Sequence, residues 1–480
     1  MVEADLANGL PRCTIVGLTD RAIQEARERV RAAIENGGYK WPQRRVTINL
    51  APAELPKEGT CFDLAIALAV LGAGDATLHL DGTAFLAELA LDAVLRPVTG
   101  VLPMARCLRA NGVRRLVVAE ENAQEAALVE GLEVFSAPTL QACVAHLRGQ
   151  RPLDRVERDG EPPAPAFEGE MAAVRGQAQA KRALEIAAAG GHNLLMTGPP
   201  GAGKTMLARA FGSLLPDLAL ADALEVAAIY SLRGALRERP PTTLRPPFRS
   251  PHHSVSRAGL VGGGSSTVQP GEISLAHRGV LFLDELCEFT RQHLEALRQP
   301  LEERFVTVAR LRAAVSFPAN FMLVAAANPC PCGHLGDERG CSCEPNRVTQ
   351  YRGRLSGPIR DRIDLLVSVP RQRFDSLFAG SDEEASATVR RRVEAARERQ
   401  IGRCGALNAA TPGRQVMALA RATSGARRLL ARSGERLQLS ARGFYRVLRV
   451  ARTIADLAGE PQVGEEAMAE ALHYRAESDA

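Results

Sequence analysis

The sequence predicts an α/β fold organised around a phosphate-binding loop. Three observations support this fold class. Residues 198–205, GPPGAGKT, fit the pattern G-x-x-x-x-G-K-[ST] between an apolar run that predicts a buried strand and a segment, MLARAF, that favours helix. The apolar strand of GVLFLDELCE (279–288) ends in two acidic residues, and residues 373–480 are helical in pattern and rich in arginine. Together these patterns predict a nucleotide-binding core followed by a helical domain.

The glycines of the phosphate-binding loop allow backbone N–H groups to close on a polyphosphate, and the helix that follows adds the positive end of its dipole. Lys204 is expected to reach the β- and γ-phosphates of ATP, and the Thr205 hydroxyl to bind Mg²⁺. The other interpretation is a glycine-rich turn that caps a helix. The residues predicted to bind the nucleotide and its metal are Gly198, Pro199, Pro200, Gly201, Ala202, Gly203, Lys204, Thr205 and Asp284.

The acidic strand end supplies further groups that nucleotide hydrolysis needs. Asp284 is expected to hold Mg²⁺, and Glu285 to activate the attacking water. A second apolar strand, Phe321–Asn328, ends on an asparagine that is able to close a turn before Pro329.

Composition and net charge limit the classes of function that the chain can have. The chain has 480 residues, 46% of them hydrophobic, which is enough for roughly two to four domains with buried cores. Aromatic residues make up only 4% of the chain, which argues against recognition built on many stacking platforms. The net charge of +5 permits nucleic-acid binding but does not establish it.

Several features predict a cytoplasmic protein. The N-terminus carries early acidic residues and no apolar segment, unlike a signal peptide. The longest apolar run, Leu64–Ala73, is too short to span a bilayer, so no membrane partner is expected. In this compartment the ten cysteines are not expected to form a disulfide framework.

The chain divides into segments of different pattern. Residues 1–150 predict an α+β domain without a phosphate-binding loop, and the proline-rich residues 151–168 predict an extended linker. Residues 169–372 form the predicted nucleotide-binding core, and residues 373–480 the helical domain. Local patterns predict strands at Leu10–Leu18 and Arg44–Pro52, and helices at Asp20–Asn36 (with Asp20 as N-cap), Phe62–Leu71 and Met171–Ala189.

A glycine-rich stretch carries four cysteines, Cys330, Cys332, Cys341 and Cys343. Four thiols so close together are able to bind one tetrahedral Zn²⁺. The two C-x-C pairs are tighter than the usual C-x₂₋₄-C spacing. The sequence therefore predicts a structural zinc site, with a set of reduced, metal-free cysteines as the alternative.

Two loops concentrate positive charge. The segment 246–264 is bounded by prolines and glycines, and inserted loops of this kind often carry binding residues. Alternation over residues 305–317 predicts a hairpin with two arginines at or near its tip. A solvated turn without a partner is the alternative for the first loop. The candidate binding residues of these two loops are Arg249, His252, His253, Arg310 and Arg312.

Two further arginines lie where an anionic partner is plausible. Arg362 precedes the strand LLVSVP, where it either reaches a phosphate or forms a local salt bridge with Asp361 or Asp364. Arg442 lies in the first turn of a helix whose predicted N-cap is Ser440. Because a cation is unfavourable at a helix N-terminus, this placement favours an anionic ligand.

The chain resembles, over nearly its whole length, the ComM/YifB family of magnesium-chelatase-like AAA+ ATPases. The most specific matches are GGHNLLMTGPPGAGKT, FRSPHHSVS, PGEISLAHRGVLFLDEL, AANPCPCG and LSARGFYRVLRVARTIADL. The resemblance implies an AAA+ P-loop core with a helical lid, ATP and Mg²⁺ as cofactors, and assembly into a ring, a hexamer in the family's best-known member. It also implies an ATP-driven motor on single-stranded or branched DNA, a helicase of branch migration in recombination or natural transformation. In such a ring the two basic loops are implied to face the pore, where their five candidate residues would contact DNA phosphates.

The resemblance assigns roles to three side chains beyond the phosphate-binding loop. Asn328 is implied to sense the γ-phosphate and orient the attacking water. Arg362 matches the arginine finger that acts on a neighbouring subunit's nucleotide, and Arg442 matches the second sensor of the lid. With Glu285, these are the residues predicted to be catalytic.

Residues 1–150 resemble the family's N-terminal domain, which is itself similar to the Lon protease domain (a ribosomal S5-like fold). In PKEGTCFD, Cys61 takes the place of the Lon serine, and Leu102 takes the place of the Lon lysine. A nucleophile without a base is not activated, so Cys61 is predicted to be a small buried residue. A chelatase-type motor that drives metal insertion through a partner is the alternative function, and a Lon-like protease is the least favoured.

Overall fold

The computed structural model describes residues 1–17, 20–55, 57–158, 169–236, 239, 243–264, 268–309, 314–336, 339–372 and 383–476. The chain divides into two compact units. Unit 1 comprises Met1–Pro162, Ala227–Thr243 and Gly264–Gln269, and unit 2 comprises Pro163–Val226, Leu244–Gly263 and Pro270–Ala480.

The N-terminal part of the chain alternates strands and helices. Its strands are β1 (Val2–Ala7), β2 (Arg12–Val16), β3 (Arg45–Leu50), β4 (Thr83–Leu86), β5 (Glu88–Leu89), β6 (Leu95–Arg96), β7 (Arg115–Val118) and β8 (Glu133–Ser136). Its helices are α1 (Arg21–Asn36), α2 (Asp63–Gly72), α3 (Val101–Ala110), α4 (Ala123–Ala126) and α5 (Leu140–Leu147).

Unit 1 contains two three-stranded sheets, ordered β1-β3-β2 and β4-β7-β8. In the first sheet β1 is antiparallel and β2 parallel to β3, whose alternate residues Val46, Ile48 and Leu50 are buried. Helix α1 begins where the Asp20 carboxylate accepts the N–H of Ile23 at 2.9 Å. The strands, helices and N-cap predicted in this part of the chain are therefore confirmed within a residue or two.

The described start of the predicted linker is paired with unit 1. The N–H of Val156 donates to the carbonyl of Val134 at 2.8 Å, and Arg155 forms a bridge with Phe135 of β8. Strand-like pairing thus extends past the predicted boundary at residue 150. Residues 159–168 lie outside the described residues, and the other domain limits stay predictions.

The rest of the chain carries the large sheet and most of the helices. Its strands are β9 (Leu194–Thr197), β10 (Phe248–Arg249), β11 (Gly262–Gly263), β12 (Gln269–Pro270), β13 (Val280–Leu283), β14 (Phe305–Ala309), β15 (Ala314–Pro318), β16 (Met322–Ala327) and β17 (Leu365–Ser368). The helices of its core are α6 (Ala178–Gly190), α7 (Lys204–Ser213), α8 (Leu220–Arg233), α9 (Arg257–Val261), α10 (Glu272–Leu275), α11 (Arg291–Ala296), α12 (Arg298–Glu303), α13 (Pro345–Gly353) and α14 (Gly357–Arg360). The C-terminal helices are α15 (Ser386–Cys404), α16 (Gly413–Ala420), α17 (Ser424–Arg436), α18 (Ala441–Ala458) and α19 (Glu465–Ala476).

The sheet of unit 2 has five parallel strands in the order β10-β13-β16-β9-β17. Its central strands are nearly continuous apolar runs, as is typical of parallel strands covered on both faces. Because all strands run the same way, the residues that follow β9, β13 and β16 meet at one edge of the sheet. These are Gly198, Asp284 and Asn328.

The predicted single helix over Met171–Ala189 is wrong. A short 3₁₀ turn, Met171–Ala173, is followed by an extended Val174, and α6 begins only at Ala178. The interruption comes from Gly176 and Gln177, which both have positive φ angles, +61° and +55°. The run of helix-forming residues did not reveal this turn, which places the Gln177 amide against the phosphate-binding loop.

Two other predictions for this part of the chain are confirmed. Strands β14 and β15 pair as an antiparallel hairpin with Phe305 opposite Pro318, although Arg310 and Arg312 at its tip lie outside the described residues. Ser440 caps α18 by accepting the N–H of Gly443 at 3.1 Å. Within the described ranges, no helix is both long and apolar enough to cross a membrane.

Candidate nucleotide site

The phosphate-binding loop, residues 198–203, has a backbone that only glycines allow at three points. Gly201 and Gly203 have φ angles of +78° and +91°. At Gly198, a Cβ atom would lie 2.1 Å from the carbonyl oxygen of Val369, which follows β17. The loop is therefore shaped both by its own glycines and by the end of the neighbouring strand.

Lys204 is buried and turned back into the loop. Its ammonium donates to the carbonyl oxygens of Gly198 and Pro199 at 2.6 and 2.9 Å, and to Oδ1 of Asn328 at 3.1 Å. Burial lowers the pKa of Lys204, and the nearby carboxylates of Asp284 and Glu285 offset part of that shift. The cation is thus held at the loop by neutral oxygens that a phosphate is able to replace.

Thr205 and Asp284 meet at the sheet edge. The Thr205 hydroxyl donates to Oδ2 of Asp284 at 2.8 Å, and Oδ1 of Asp284 accepts the N–H of Glu285 at 2.9 Å. A hydroxyl and a carboxylate are the oxygen ligands that Mg²⁺ takes from proteins. The two residues predicted to hold this ion therefore lie side by side, although they are far apart in sequence.

Glu285 combines backbone strain with exposure. Its φ and ψ angles of +49° and +47° place a non-glycine residue in the left-handed region, a conformation that often occurs at functional sites. Its side chain is about half exposed, and its Oε2 lies 3.4 Å from Nδ1 of His253. His253 in turn stacks on His252, with ring centroids 4.0 Å apart. A histidine predicted to contact DNA therefore touches the carboxylate predicted to activate water.

The remaining residue of the predicted DNA-binding loop is already paired. Arg249 donates from Nε and Nη2 to the two carboxylate oxygens of Glu272, at 2.7 and 2.9 Å. A bidentate pair of this kind fixes the guanidinium within its own chain. Any phosphate that binds Arg249 must compete with Glu272.

The predicted arginine finger, Arg362, and the predicted second sensor, Arg442, share one carboxylate. Arg362 is buried and contacts Glu302 with Nη2, while Nη1 donates to the carbonyl of Pro358. Arg442 is mostly exposed, and its Nη1 lies 3.3 Å from the same Glu302 oxygen. The local salt bridge foreseen for Arg362 thus exists, but with Glu302 rather than with Asp361 or Asp364.

Asp364 instead forms the centre of a buried network. It pairs with Arg446 at 2.5 Å and accepts the N–H of Asn193 at 2.9 Å, while His192 lies 3.7 Å away. Burial alone would raise the pKa of Asp364, but Arg446 and His192 hold it well below its usual value. This network joins the start of β9 to the segment that carries Arg362.

The residues predicted from the sequence did not include two polar side chains that hold the loops around the nucleotide site in place. Gln177 donates to the carbonyls of Ala202 and Pro370 at 3.2 and 2.7 Å, which connects the loop to the second residue after β17. Asn193 donates from Nδ2 to the Arg362 carbonyl at 2.9 Å. The only sequence signal was the pair of polar residues directly before the apolar run of β9.

The four cysteines of residues 330–343 form a cluster. Their Sγ atoms all lie within 4.8 Å of one another, with Cys330 buried and the others half-buried. All are free thiols. The cluster has the ligand type and number that a metal ion requires.

In unit 1, the environment of Cys61 does not favour a nucleophile. Burial raises the pKa of the Cys61 thiol to about 11, so little of it is ionised near neutrality. Leu102 is buried, and its N–H donates to Glu125 at 2.7 Å. Both observations agree with a non-proteolytic domain, whose likeness to the Lon protease stays a prediction.

The parallel sheet, the phosphate-binding loop and the acidic strand end together define the class: the chain has an AAA+ P-loop ATPase core. Family models described as "Magnesium chelatase, subunit ChlI", "Subunit ChlI of Mg-chelatase" and "Magnesium chelatase, subunit ChlI C-terminal" match residues 170–377, 2–122 and 383–475.

Relatives that match nearly the whole chain identify its family within the AAA+ ATPases. The chain is 45% identical to an uncharacterised protein of Mycobacterium tuberculosis, over 99% of this chain and 95% of that protein. It is 44% identical to competence protein ComM of Haemophilus influenzae and 45% identical to the uncharacterised protein YifB of Escherichia coli, in both cases over 99% of this chain and 94% of the relative. The chain belongs to the ComM/YifB family of magnesium-chelatase-like AAA+ ATPases.

Proposed function

We propose that the protein hydrolyses MgATP at the carboxyl edge of the unit 2 sheet. The observation that carries this proposal is the convergence of two pairs, Lys204 with Asn328 and Thr205 with Asp284, from separate strand ends. The helix dipole of α7 and the backbone N–H groups of the loop favour the polyphosphate. Lys204 exchanges its carbonyl partners for phosphate oxygens, and Asn328 remains within reach to orient the attacking water.

In this proposal, Mg²⁺ supplies charge that neutralises the β- and γ-phosphate oxygens, with Thr205 and Asp284 as its protein ligands. Glu285 accepts a proton from the attacking water. Its half-exposed carboxylate can take up that proton while Asp284 keeps its main-chain contact with the Glu285 N–H.

We further propose that the active form is a ring, a hexamer as the family resemblance implies. Arg362 would complete the site of the neighbouring copy, and Arg442 would act on its own subunit's nucleotide. Both assignments rest on the resemblance and on the position of the two arginines around Glu302. An arginine from a second copy stabilises the charge that develops on the γ-phosphate.

We propose that the work of this motor is done on DNA, as a helicase of branch migration. The support is the resemblance, the relative named as a competence protein, and two basic loops. One loop carries His252 and His253, and the hairpin of β14 and β15 carries Arg310 and Arg312 in its connection. Arginine–phosphate contacts would give affinity that is independent of sequence.

A chelatase-type motor is the second candidate, because all three matching family models are described by a magnesium chelatase subunit. Such a motor would drive metal insertion through a partner protein and would not respond to DNA. Stimulation of ATP hydrolysis by DNA therefore separates the two candidates.

The hydrolytic assignment is tested with Glu285→Gln. We expect this variant to bind a fluorescent ATP analogue like the parent and to release phosphate at least about a hundredfold more slowly, because water activation is lost. Glu288→Gln is the matched control, since Glu288 is a nearby exposed acid paired with Arg354. Hydrolysis by Glu285→Gln at the parent rate would refute the assignment.

The DNA proposal is tested by fluorescence anisotropy with single-stranded and forked DNA across a salt series, with ATP present. Replacing Arg310 and Arg312 with alanine should weaken binding and lower the salt slope by about 1.4 on single strands, the value for two lost phosphate contacts. Basal ATP hydrolysis should survive. The exposed pair Arg428 and Arg432 on α17, changed to alanine together, controls for the loss of two charges.

If the parent bound no DNA, or if the hairpin variant bound DNA as tightly as the parent does, the DNA proposal would be contradicted. The chelatase-type function would then be the favoured candidate.

We also propose that Cys330, Cys332, Cys341 and Cys343 hold one Zn²⁺. Tetrahedral zinc with Zn–S bonds of about 2.3 Å places its sulfur ligands about 3.8 Å apart. The reported Sγ–Sγ separations of 3.3, 3.6 and 3.6 Å are close to that spacing. Elemental analysis of protein purified with a reductant should give about one zinc per chain, and a metal-free, active preparation would contradict the proposal.

A further inference from the structure

We propose that the zinc-loaded cysteine loop, residues 330–343, braces the phosphate-binding loop, so that nucleotide affinity depends on the metal. The inference rests on the proposed zinc and ATP sites, and it assigns the metal a role that neither site implies by itself. Residues 330–343 are called the brace loop.

The brace loop is anchored to the nucleotide site at its start. It begins two residues after Asn328, whose Oδ1 accepts the Lys204 ammonium at 3.1 Å. Between them, the carbonyl of Pro329 accepts Nε of Arg352 at 3.2 Å, which connects the start of the loop to α13. Cys330 itself is fully buried. Its position is therefore coupled to Lys204 through Pro329 and Asn328.

The turn at Gly333 of the brace loop lies against the phosphate-binding loop. Gly333 has a φ angle of +82°, and a Cβ atom there would lie 2.4 Å from Cδ and 2.6 Å from Cγ of Pro200. The backbone at Gly333 thus lies so close to the Pro200 ring that a side chain at position 333 would clash with it. Pro200 is in the middle of the phosphate-binding loop, so this contact limits how far that loop can move outward.

The turn at Gly333 is also held by a hydrogen bond from its N–H to the carbonyl of Cys330, at 2.9 Å. In the described residues 330–336 and 339–344, the brace loop forms turns and bends without helix or strand. The structure gives it two internal N–H···S contacts at 3.4 Å, from Cys332 to Cys343 and from Cys343 to Cys341. Such contacts to sulfur are common around thiolates that bind metals.

A metal bound by both C-x-C pairs would close this loop as a cross-link. Closing a loop removes the alternative conformations that it would otherwise sample, and in small metal-binding segments the metal supplies the free energy of folding. Without the metal, the four thiols have no strong mutual attraction, and the turn at Gly333 loses the cross-link that joins it to the second C-x-C pair, although its N–H still bonds the carbonyl of Cys330. We therefore expect metal loss to loosen the phosphate-binding loop rather than to alter the chemistry of hydrolysis.

The experiment uses the full-length protein. Zinc content is measured first, the metal is then removed with a chelator under reducing conditions, and affinity for a fluorescent ATP analogue is titrated before and after. Hydrogen exchange of the peptide covering residues 198–205 reports on the loop itself. We expect at least tenfold weaker nucleotide binding and faster exchange in this peptide after zinc removal, both reversed when Zn²⁺ is added back.

A pair of glycine variants separates bracing from metal binding. Gly333→Ala adds a methyl group against Pro200, whereas Gly336→Ala adds one at a similar φ angle of +81° with no atom within 4 Å. Both should retain zinc, and only Gly333→Ala should weaken nucleotide binding. Because backbone strain is similar in the two variants, the difference between them isolates the Pro200 contact.

Three results would overturn the inference. If nucleotide affinity and loop protection are unchanged after zinc removal, or if the two glycine variants bind nucleotide equally well, no brace exists. If the parent contains no metal, or contains a disulfide within the cluster, the zinc site itself falls. None of these outcomes affects the Glu285→Gln test, so the proposed ATPase function is judged separately.

Discussion

Each unit contains a connection from a strand to a helix with a buried lysine in it. In unit 2 the phosphate-binding loop joins β9 to α7, and in unit 1 a proline- and glycine-containing segment joins β3 to α2. Lys204 and Lys57 are equally exposed, at 8% each, and both donate to backbone carbonyl oxygens of their own loops. Judged by the lysine alone, the two loops are alike.

The groups around the two lysines differ. Next to Lys204, Thr205 is exposed. Asp284 at the sheet edge accepts from the Thr205 hydroxyl and from the N–H of Glu285. In unit 1, Asp63 is fully buried and takes two bonds from Arg29, at 2.9 and 3.1 Å. Burial raises the pKa of Asp63, and the Arg29 guanidinium offsets part of that shift. A ligand site keeps polar atoms at an edge where partners can be exchanged, whereas the unit 1 loop uses its polar atoms to hold the fold.

The largest expected difference between the loops is in the two lysine variants. Lys204→Ala should weaken ATP binding by about 10- to 100-fold or more, because charge-assisted contacts to phosphate are lost. Lys57→Ala should leave nucleotide binding unchanged and lower the free energy of unfolding by about 0.5–1.5 kcal/mol, because the hydrogen bond from Lys57 to the carbonyl of Pro52 is lost. Titration with a fluorescent ATP analogue and denaturant unfolding measure the two effects. If Lys57→Ala impaired ATP binding as strongly, the contrast between the loops would be wrong.

A second prediction asks whether the unit 2 site is complete in one chain. Arg362→Ala should assemble and bind ATP yet hydrolyse it about a thousandfold more slowly, because a charge on the γ-phosphate is lost. Mixing it with Glu285→Gln subunits should restore some hydrolysis, since mixed rings contain intact composite sites. Arg360→Ala, a change two residues away, is the control and should behave like the parent. Absence of recovery in mixtures of confirmed rings would count against a site shared between copies.

The smallest effect on ATP hydrolysis is expected from a change at Cys61 in unit 1. With a pKa of about 11, this thiol is about 0.1% ionised at pH 8, against about a quarter for an ordinary thiol. Alkylation of Cys61, followed by mass spectrometry of its peptide, should therefore be about a hundredfold slower than that of a model thiol and should accelerate as pH rises toward 11. Cys61→Ser should not change ATP hydrolysis. Rapid alkylation at neutral pH would reopen the protease alternative.

Local signals in the sequence predicted much of this structure. The caps Asp20 and Ser440, the phosphate-binding loop and the hairpin of β14 and β15 each depend on residues close together in the chain, so a short window carries the information. The meeting of Thr205 with Asp284 could also be anticipated, because ends of parallel strands share one edge.

What could not be predicted depends on distant partners. The carboxylate of Glu302 is far in sequence from both Arg362 and Arg442, and no local pattern distinguishes it from that of the neighbouring Glu303. The contact between His253 and Glu285 likewise requires the pairing of β10 with β13. The turn at Gln177 was hidden because alanine-rich flanks favour helix, while the amide's two carbonyl partners lie in other loops.

The contact between Gly198 and Val369 has a consequence for synthesis on the ribosome. Strand β9 pairs with β16 and β17, and both emerge after it. The last of these partners begins roughly 170 residues after β9 ends, and at about 5–20 residues per second the delay is on the order of 10 to 30 s. During this interval the nascent chain already contains GPPGAGKT but lacks the strand end that shapes it. The ability to hold a nucleotide should therefore appear late in translation, when β17 has left the exit tunnel, and not when the motif itself does.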